Sequence, residues 1–260
     1  MSFLEQISVL ILTYNEASNI GRTLNVLSAF PDILVLDSGS TDETIEIVKK
    51  SSDARIVTRL FDSHAAQWNY GVRQCRNPWV LALDADYVVP GELVHEIARL
   101  GPSASIGGYR VSFRYFVFGR PLRGALYPPV VVLYRRDSTH YRQDGHTQRA
   151  AVDGTIEELR TRIDHDDRKP LSRWLTSQQK YAKLEADHLL AQLPACLSRA
   201  DRIRLMAWPA PILVFLYTLF ASRCILDGWP GWLYVLQRTV AEIMIALELI
   251  YRRLNLIRAG

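Results

Sequence analysis

An α/β fold with a mostly parallel sheet is predicted by three observations on this 260-residue sequence. First, apolar runs at 7–12, 33–36 and 79–83 have the length and near-continuous hydrophobicity of strands that are buried on both faces. Second, segments with helical spacing separate these runs, which implies right-handed strand–helix–strand crossovers. Third, each run is followed at once by a cluster of polar residues. The sequence therefore predicts a sheet flanked by helices.

The elements between and after these strands follow from local patterns. After the first strand, Asn15 and Ser18 are candidate caps of a helix that runs through Ile20, Leu24 and Leu27. The other predicted elements are a helix at 45–50, a short strand at 55–58, a helix at 65–73, aromatic-rich strands near a sheet edge within 108–141, and a long helix from Pro170. The alternation of strands and helices in the first hundred residues supports the parallel sheet.

Composition bounds the class of protein. With 48% hydrophobic residues the chain can bury a core, and a net charge of +4 is too small to indicate nucleic-acid binding. The three cysteines, Cys75, Cys196 and Cys224, lack the spacing of a disulfide framework or a zinc site. No basic segment precedes the run at 7–12, so we expect no secretory signal and a reducing compartment.

The polar clusters that follow the three strands are 13–16, 37–42 and 84–86. In open α/β sheets, ligands bind outside the carboxyl ends of the strands, so the three clusters predict one composite site. Asp84 and Asp86 place two carboxylates on one turn, and oxygen ligands of this kind suit Mg²⁺ or Mn²⁺. An isolated pair of this spacing is also typical of an ordinary aspartate-rich turn.

Taken in order, the motifs resemble those of family 2 glycosyltransferases of the GT-A fold, above all the small bacterial enzymes related to lipopolysaccharide-core glucosyltransferases. The matching residues are Thr13-Tyr14-Asn15-Glu16, Asp37-Ser38-Gly39-Ser40-Thr41-Asp42, Gln67-Trp68-Asn69-Tyr70-Gly71 and Asp84-Ala85-Asp86. The resemblance covers the first 120 residues and extends less closely to about residue 190. It implies a Rossmann-like GT-A sheet and transfer of a sugar from a nucleotide-sugar donor.

The resemblance also implies a donor site and a metal site. The expected donor-binding residues are Thr13, Tyr14, Glu16, Asp37, Ser38, Asn69, Asp84 and Arg168, and the expected ligands of Mg²⁺ or Mn²⁺ are Asp86, Asp84 and His165. Ser38 stands where the family more commonly carries a second acid, and a UDP-sugar is the favoured donor. The segment with His165 and Arg168 is equally compatible with a solvated charged turn before a helix.

An inverting transfer needs a base that takes the proton of the acceptor hydroxyl. Asp144 is the candidate for this base, and His146 is expected to orient it or to bind the diphosphate or the metal. Related enzymes often carry a His-Glu pair near this point, whereas Thr147 follows the histidine here. The alternative interpretation is a capped loop with a packed histidine.

The last sixty residues differ in character from the rest of the chain. Residues 205–222 carry no charge, and 231–251 are apolar except for Arg238, Glu242 and Glu248, which lie near one side of a helix. Flanking aromatic residues and arginines are typical of a membrane interface. The segment is predicted to form a C-terminal hydrophobic helical hairpin. Three arrangements stay open: a hairpin packed on the domain or in a homo-oligomer interface, a hairpin embedded in a membrane without spanning it, and a true span.

These observations predict a donor-binding half at 1–120, an acceptor-binding and catalytic half at 121–200, and a membrane-associating segment at 201–260. The predicted function is metal-dependent inverting transfer to a lipid-linked, lipopolysaccharide or polysaccharide acceptor at the cytoplasmic face of the bacterial inner membrane. One alternative is a haloacid-dehalogenase-like phosphohydrolase, because 84–88 also resembles the nucleophile motif of that class with Asp84 as nucleophile. The other is a degenerate, non-catalytic GT-A scaffold.

Overall fold

The computed structural model describes residues 2–124, 126–144, 147–193, 195 and 197–259. The chain divides into two compact units. The first comprises residues 1–119, 127–143 and 148–168, and the second comprises 120–126, 144–147 and 169–260.

The strands are β1 (Ile7–Thr13), β2 (Asp32–Asp37), β3 (Arg55–Thr58), β4 (Trp79–Asp84), β5 (Tyr87–Val88), β6 (Ile106–Val111), β7 (Phe113–Val117), β8 (Arg120–Pro121), β9 (Val130–Arg135), β10 (Thr139–Asp144), β11 (Thr147–Val152), β12 (Thr155–Glu158) and β13 (Ile163–His165). The α-helices are α1 (Ile20–Leu24), α2 (Thr44–Ser51), α3 (His64–Gln74), α4 (Gly91–Ala98), α5 (Leu171–Ala191), α6 (Arg199–Leu205), α7 (Pro209–Leu216) and α8 (Trp229–Ala259).

The first unit is built on a seven-stranded sheet with the order β12-β6-β9-β4-β1-β2-β3. Strand β1 is parallel to β2 and β4, β2 is parallel to β3, and β6 is parallel to β12. The predicted α/β class with a mostly parallel sheet is confirmed. Strand β9 lies inside the sheet and is antiparallel to both β4 and β6, whereas the sequence predicts strands near an edge at this point. Its central residues, 132–134, are buried, which an edge position would not provide.

Strand β1 shows why the apolar runs form the centre of the sheet. Val9 and Ile11 pack in the core on one face, and Leu10 packs in the core on the other. A strand that is covered on both faces needs apolar side chains at successive positions, and this is the pattern of the sequence. The buried centre fixes β1 between β2 and β4, so that the carboxyl ends of the three strands lie side by side.

Helix α3 approaches the sheet closely at Gly71. A Cβ atom at this position would lie 2.8 Å from both Cδ atoms of Leu10 and 3.2 Å from Cδ2 of Leu36. We expect Gly71→Ala to lower the free energy of unfolding by about 1–3 kcal/mol, because the added methyl group overpacks the core. Gly91→Ala is the matched control, since a Cβ there meets nothing within 4 Å. Urea unfolding of both variants tests this; equal stability of the two would contradict it.

The second unit is mainly helical. Residues 205–222 do not form one helix: α6 ends at Leu205, α7 begins at Pro209, and a π-helical turn follows at Tyr217–Ala221. Ala207 has a φ of +64°, and Pro209 and Pro211 lack a backbone N–H, so the chain turns between α6 and α7. A 3₁₀ turn at Cys224–Asp227 leads into α8. Within the described part of the chain, no helix combines the length and the apolar character that a membrane crossing requires.

Candidate active site

The register of the sheet brings the three polar clusters together. Thr13 at the end of β1 lies opposite Asp37 at the end of β2, and Leu12 lies opposite Asp84 at the end of β4. The predicted donor-binding residues Thr13, Asp37 and Asp84 therefore end three adjacent parallel strands. This is the edge of an open α/β sheet at which ligands bind.

The loops after β1 and β2 hold each other through hydrogen bonds. The side-chain oxygen of Asn15 accepts from the backbone N–H of Thr41 at 2.7 Å, and the N–H of Asn15 donates to Oγ of Ser40 at 2.8 Å. The N–H of Glu16 donates to Oγ1 of Thr44 at 2.7 Å. Asn15 adopts a positive φ of 55°, which asparagine tolerates better than most residues. The site is thus framed by two mutually fixed loops.

The side chains of Asp37 and Ser38 form hydrogen bonds with nearby protein groups. Asp37 accepts hydrogen bonds from the backbone N–H groups of Gly39 and Ser40, both at 2.9 Å, and Oγ of Ser38 accepts from the amide of Gln67 at 3.0 Å. By contrast, the buried Oγ1 of Thr13 has no hydrogen-bond partner among the residues that the structure describes. A buried hydroxyl without a partner is a candidate contact for a ligand at the end of β1.

Asp86 and His165 form a close, largely buried pair of ionisable side chains. Nε2 of His165 lies 3.5 Å from Oδ2 of Asp86, and both residues are largely buried. The pair forms because β13 runs antiparallel to β5, just after Asp86, with His165 opposite Tyr87. Burial is the largest single effect and disfavours the charged imidazole, but the carboxylates of Asp86, Asp167 and Asp84 together outweigh it and raise the pKa of His165 above its ordinary value.

Aromatic rings enclose this pair. The rings of Tyr87 and Tyr115 lie 5.4 Å and 4.6 Å from the His165 ring, centroid to centroid. Burial, together with the nearby carboxylates of Asp84 and Asp86, raises the pKa of Tyr87 well above its ordinary value. Tyr87 therefore keeps its proton at neutral pH, and its uncharged hydroxyl can form a hydrogen bond with Asp84.

The donor set of this pair fits a divalent cation. A carboxylate and an imidazole at this separation are both ligands for Mn²⁺, and the carboxylate also suits Mg²⁺. Among the described residues, no group of three or more His, Cys, Asp or Glu is arranged to hold a metal ion. The fit therefore rests on two protein ligands, Asp86 and His165, with phosphate oxygens and water in the other positions. Asp84 as a further ligand stays a prediction.

Arg168 is held by a hydrogen-bond network that the local sequence does not predict. Its guanidinium donates to Oδ2 of Asp166 at 2.9 and 2.7 Å, and Arg22 of α1 donates to the same atom at 2.8 Å and to the Asp166 carbonyl at 2.9 Å. Asp166 is buried between the two arginines. Its backbone N–H also donates to the carbonyl of Asp86 at 3.3 Å.

Asn19 connects this network to the loop after β1. Its amide donates to Glu16 at 2.9 Å and to Asp167 at 3.3 Å, and its oxygen accepts from the backbone N–H of Arg168 at 3.1 Å. Asn19, and not Asn15 or Ser18, is the residue before α1, and its side chain makes no capping hydrogen bond. The sequence offered no signal for this role, because a polar residue at a helix start is ordinarily assigned as a cap.

Arg22 holds Asp166, whose backbone N–H bonds to the carbonyl of Asp86. We therefore expect Arg22→Gln to weaken Mn²⁺ binding in the presence of a nucleoside diphosphate by about 10-fold, which is the usual effect of removing a residue that orients a metal ligand. Arg55→Gln is a close control: Arg55 is 27% exposed and pairs with Asp32, itself 6% exposed, against 28% and 7% for Arg22 and Asp166. Titration of free Mn²⁺ by electron paramagnetic resonance measures both. An equal loss of affinity in both variants would indicate a general effect of stability.

The remaining predicted residues have these positions. Tyr14 is exposed. Both atoms of the Asn69 amide are bound to the backbone of Tyr141, donating to its carbonyl at 2.9 Å and accepting from its N–H at 2.8 Å. His146 and the side chain of Asp144 lie outside the described part of the chain, so the base stays a prediction; β10 ends at Asp144.

Comparison with known proteins identifies the family. A family model described as "Glycosyl transferase family 2" matches residues 8–155, which is more than half of the chain. The chain belongs to this family. The match begins in β1 and ends in β12, so it contains Asp84, Asp86 and the loops after β1 and β2, whereas His165 and Arg168 lie beyond it.

Two relatives in sequence and one solved structure are similar to this chain. An uncharacterized glycosyltransferase of Rickettsia bellii is 36% identical over 106 residues, which is 40% of this chain and only 36% of that protein. The lipopolysaccharide core biosynthesis glycosyltransferase LpsC of Rhizobium meliloti is 26% identical over 263 residues, covering 95% of this chain and 92% of its own. The mannosyltransferase PcManGT of Pyrobaculum calidifontis has the same fold, with a TM-score of 0.55 at 14% identity over 95% of this chain and 87% of that one. The predicted GT-A fold is confirmed.

Proposed function

We propose that this chain transfers a sugar from a nucleotide-sugar donor, a UDP-sugar, to a hydroxyl group of a lipid-linked or saccharide acceptor, with inversion at the anomeric carbon. The observation that carries the proposal is the Asp86–His165 pair, which lies beside the joined loops after β1 and β2. A cation ligand pair next to hydrogen-bonding loops at the carboxyl ends of parallel strands suits a nucleoside diphosphate.

Different residues are proposed to contact the nucleoside and the diphosphate of the donor. Thr13, with its available hydroxyl, and the loop of Tyr14 and Glu16 are proposed to contact the nucleoside. Arg168 is proposed to contact the diphosphate, because its side chain is 46% exposed although its guanidinium is anchored on Asp166. These residues bind and orient the donor so that its anomeric carbon faces the acceptor.

Asp86 and His165 are proposed to hold Mg²⁺ or Mn²⁺. When bound, the cation neutralises charge on the leaving nucleoside diphosphate. The structure of PcManGT, which shares the fold, was determined with GDP-Man and Mn²⁺. The acceptor oxygen forms a bond to the anomeric carbon as the bond to the β-phosphate oxygen breaks. The acceptor proton passes to a base, for which Asp144 with His146 is the proposal.

We propose that the acceptor is a lipopolysaccharide-type saccharide and that the enzyme works at the cytoplasmic face of the bacterial inner membrane. This acceptor class is supported by the similarity, over almost the whole chain, to LpsC, a lipopolysaccharide core biosynthesis glycosyltransferase. A membrane location is supported by the exposed apolar residues of the second unit, which include Trp208, Phe220 and Trp229.

The test is release of nucleoside diphosphate by the purified chain from a panel of UDP- and GDP-sugars, with and without a saccharide acceptor, in Mg²⁺ or Mn²⁺. We expect release from a UDP-sugar that increases with acceptor and stops when the metal is removed with EDTA. Binding of nucleoside diphosphate by calorimetry without release from any donor would instead favour the non-catalytic scaffold. A phosphoenzyme at Asp84 would favour the phosphohydrolase, which the family match does not support.

A further inference from the structure

Helix α8 carries an unusual distribution of exposed residues. Between Trp229 and Tyr251, every residue that the structure shows as exposed is apolar or aromatic. They are Trp229, Trp232, Leu236, Val240, Ile243, Leu247 and Tyr251. A helix that faces water presents polar residues on its outer face, so this stripe does not have the composition of a water-exposed surface.

Helix α7 and the turns around it show the same distribution. The exposed residues from 206 to 221 are again all apolar or aromatic, namely Met206, Trp208, Ile212, Leu213, Leu216, Tyr217, Phe220 and Ala221. Ile225 and Leu226 follow in the 3₁₀ turn before α8. We call the exposed apolar residues of α7, α8 and these turns the apolar face. Exposed apolar residues that follow one another along two helices and their turns are typical of an interaction site.

Two polar side chains of α8 and the π-helical turn are buried beneath the apolar face. Glu242 of α8 is 1% exposed and accepts from Arg204 at 2.8 Å, and the hydroxyl of Thr218 is buried and bonds to the carbonyl of Val214 at 2.5 Å. Charged groups that are paired inside a helical group, beneath an apolar exterior, are the arrangement found in a lipid environment.

Helix α5 of the same unit provides the contrast. Its exposed positions include Ser172, Thr176, Gln179, Lys180, Lys183 and Asp187, mixed with a few leucines. This is the ordinary surface of a helix in water. The inverted distribution is therefore confined to α7, α8 and their turns, and is not a property of the whole unit.

The spacing of the exposed apolar residues along α8 indicates the shape of the surface that they can contact. From Trp229 to Leu254, the exposed apolar residues of α8 follow at separations of three, four, four, three, four, four and three residues. This eleven-residue repeat, about 3.67 residues per turn, is close to the 3.6-residue period of a straight α-helix. It keeps the stripe nearly parallel to the helix axis, as contact with a flat surface requires.

Charge around the apolar face points to an anionic surface. Arg199, Arg202 and Arg223 are exposed, and none of them makes a side-chain hydrogen bond or ion pair within the part of the chain that is described. No aspartate or glutamate between residues 199 and 255 is exposed. Unpaired arginines beside an apolar surface with tryptophan and tyrosine are suited to anionic headgroups at a membrane interface.

We infer that the apolar face lies in the headgroup and acyl boundary of an anionic phospholipid leaflet, with α8 parallel to the membrane plane. The inference deepens the membrane location in the proposed function and rests on it. The partner is the lipid surface itself: the side chains of α7 and α8 enter the acyl region, and the arginines contact phosphate groups.

Flotation of the full chain on vesicles tests this inference. Vesicles of phosphatidylcholine alone and of phosphatidylcholine mixed with phosphatidylglycerol are compared, at low and high salt. We expect binding to the anionic vesicles that salt weakens. The triple variant Leu236→Ser, Ile243→Ser, Leu247→Ser should lower the partition coefficient by about 100-fold or more, because three apolar side chains leave the lipid.

The matched control is Leu171→Ser, Leu175→Ser, Leu184→Ser, which changes three exposed leucines of α5 and should leave flotation unchanged. Flotation of the α8 variant at the wild-type level would overturn the inference, as would equal binding to neutral vesicles. So would a dimer in vesicle-free buffer that the α8 variant dissociates, since a second copy would then cover the face. Release of nucleoside diphosphate can be assayed with a soluble saccharide acceptor and without vesicles. A wild-type chain that releases it normally but floats on neither kind of vesicle would therefore overturn this inference and leave the proposed transfer standing.

Discussion

Replacing Asp86 by asparagine is expected to lower the rate of sugar transfer by about 1,000-fold. A cation on a leaving diphosphate supplies several kcal/mol, and each 1.4 kcal/mol is worth about a factor of ten. Asparagine keeps the shape of the buried side chain but removes the negative charge beside His165. Steady-state release of nucleoside diphosphate measures the loss, and Mn²⁺ titration in the presence of nucleoside diphosphate should show weakened binding in parallel.

Asp164→Asn is the control for this prediction. Asp164 lies next to His165 on β13, but its carboxylate pairs outward with Arg114 at 2.7 Å. We expect this variant to retain transfer within about threefold of wild type, since exposed ion pairs contribute little. Full transfer by Asp86→Asn would show that Asp86 is not a metal ligand. A loss of similar size in both variants would indicate that the β13 segment, and not the carboxylate of Asp86, is required.

The central sheet was predictable because its strands are buried on both faces. Continuous apolar runs such as 7–12 and 79–83 leave little ambiguity, and β1 and β4 appear where the sequence predicts them. The convergence of Thr13, Asp37 and Asp84 follows from the parallel order, because the carboxyl ends of parallel strands meet at one edge. These parts of the site depend on local sequence and topology alone.

Contacts between residues far apart in the chain were not predictable in the same way. Arg22 and Asp166 are separated by 144 positions, and nothing in either local sequence indicates the other. The C-terminal segment gives a second example. The spacing of Arg238, Glu242 and Glu248 puts them near one side of a helix, and all three lie in α8. The spacing does not show which side of that helix faces the interior. The structure places Glu242 in the interior, where Arg204 of another helix neutralises it.

Arg204 is expected to be the most important single charge for the stability of the second unit. Its guanidinium lies 2.8 Å from Glu242, 3.5 Å from Glu185 and 3.4 Å from Asp201. Burial is the largest single effect and opposes the charge of Arg204, but the carboxylates of Glu242, Glu185 and Asp201 together outweigh it and raise the arginine pKa. Arg204→Met leaves two buried carboxylates without this partner, and we expect the free energy of unfolding to fall by about 3–5 kcal/mol.

Arg252→Met is the matched control for that loss. The two arginines are almost equally exposed, at 28% for Arg204 and 26% for Arg252, but Arg252 pairs with the exposed Asp187 and the partly exposed Glu248. Its removal should cost less than about 1 kcal/mol. Urea unfolding, with hydrogen exchange measured on peptides of α8, reports both variants.

The double variant Arg204→Met, Glu242→Leu tells apart two possible causes of the lost stability: the buried charge left on Glu242, and the loss of the attraction that Arg204 provides. If the loss comes from an uncompensated buried charge, removing the Glu242 carboxylate as well should recover most of the stability, because apolar side chains replace a buried ion pair at little net cost. If the double variant is as unstable as Arg204→Met, then the attraction between the pair, or Arg204's contacts with Glu185 and Asp201, dominates. Recovery is the result we expect, because Glu242 is almost completely buried beneath the apolar outer surface of α8.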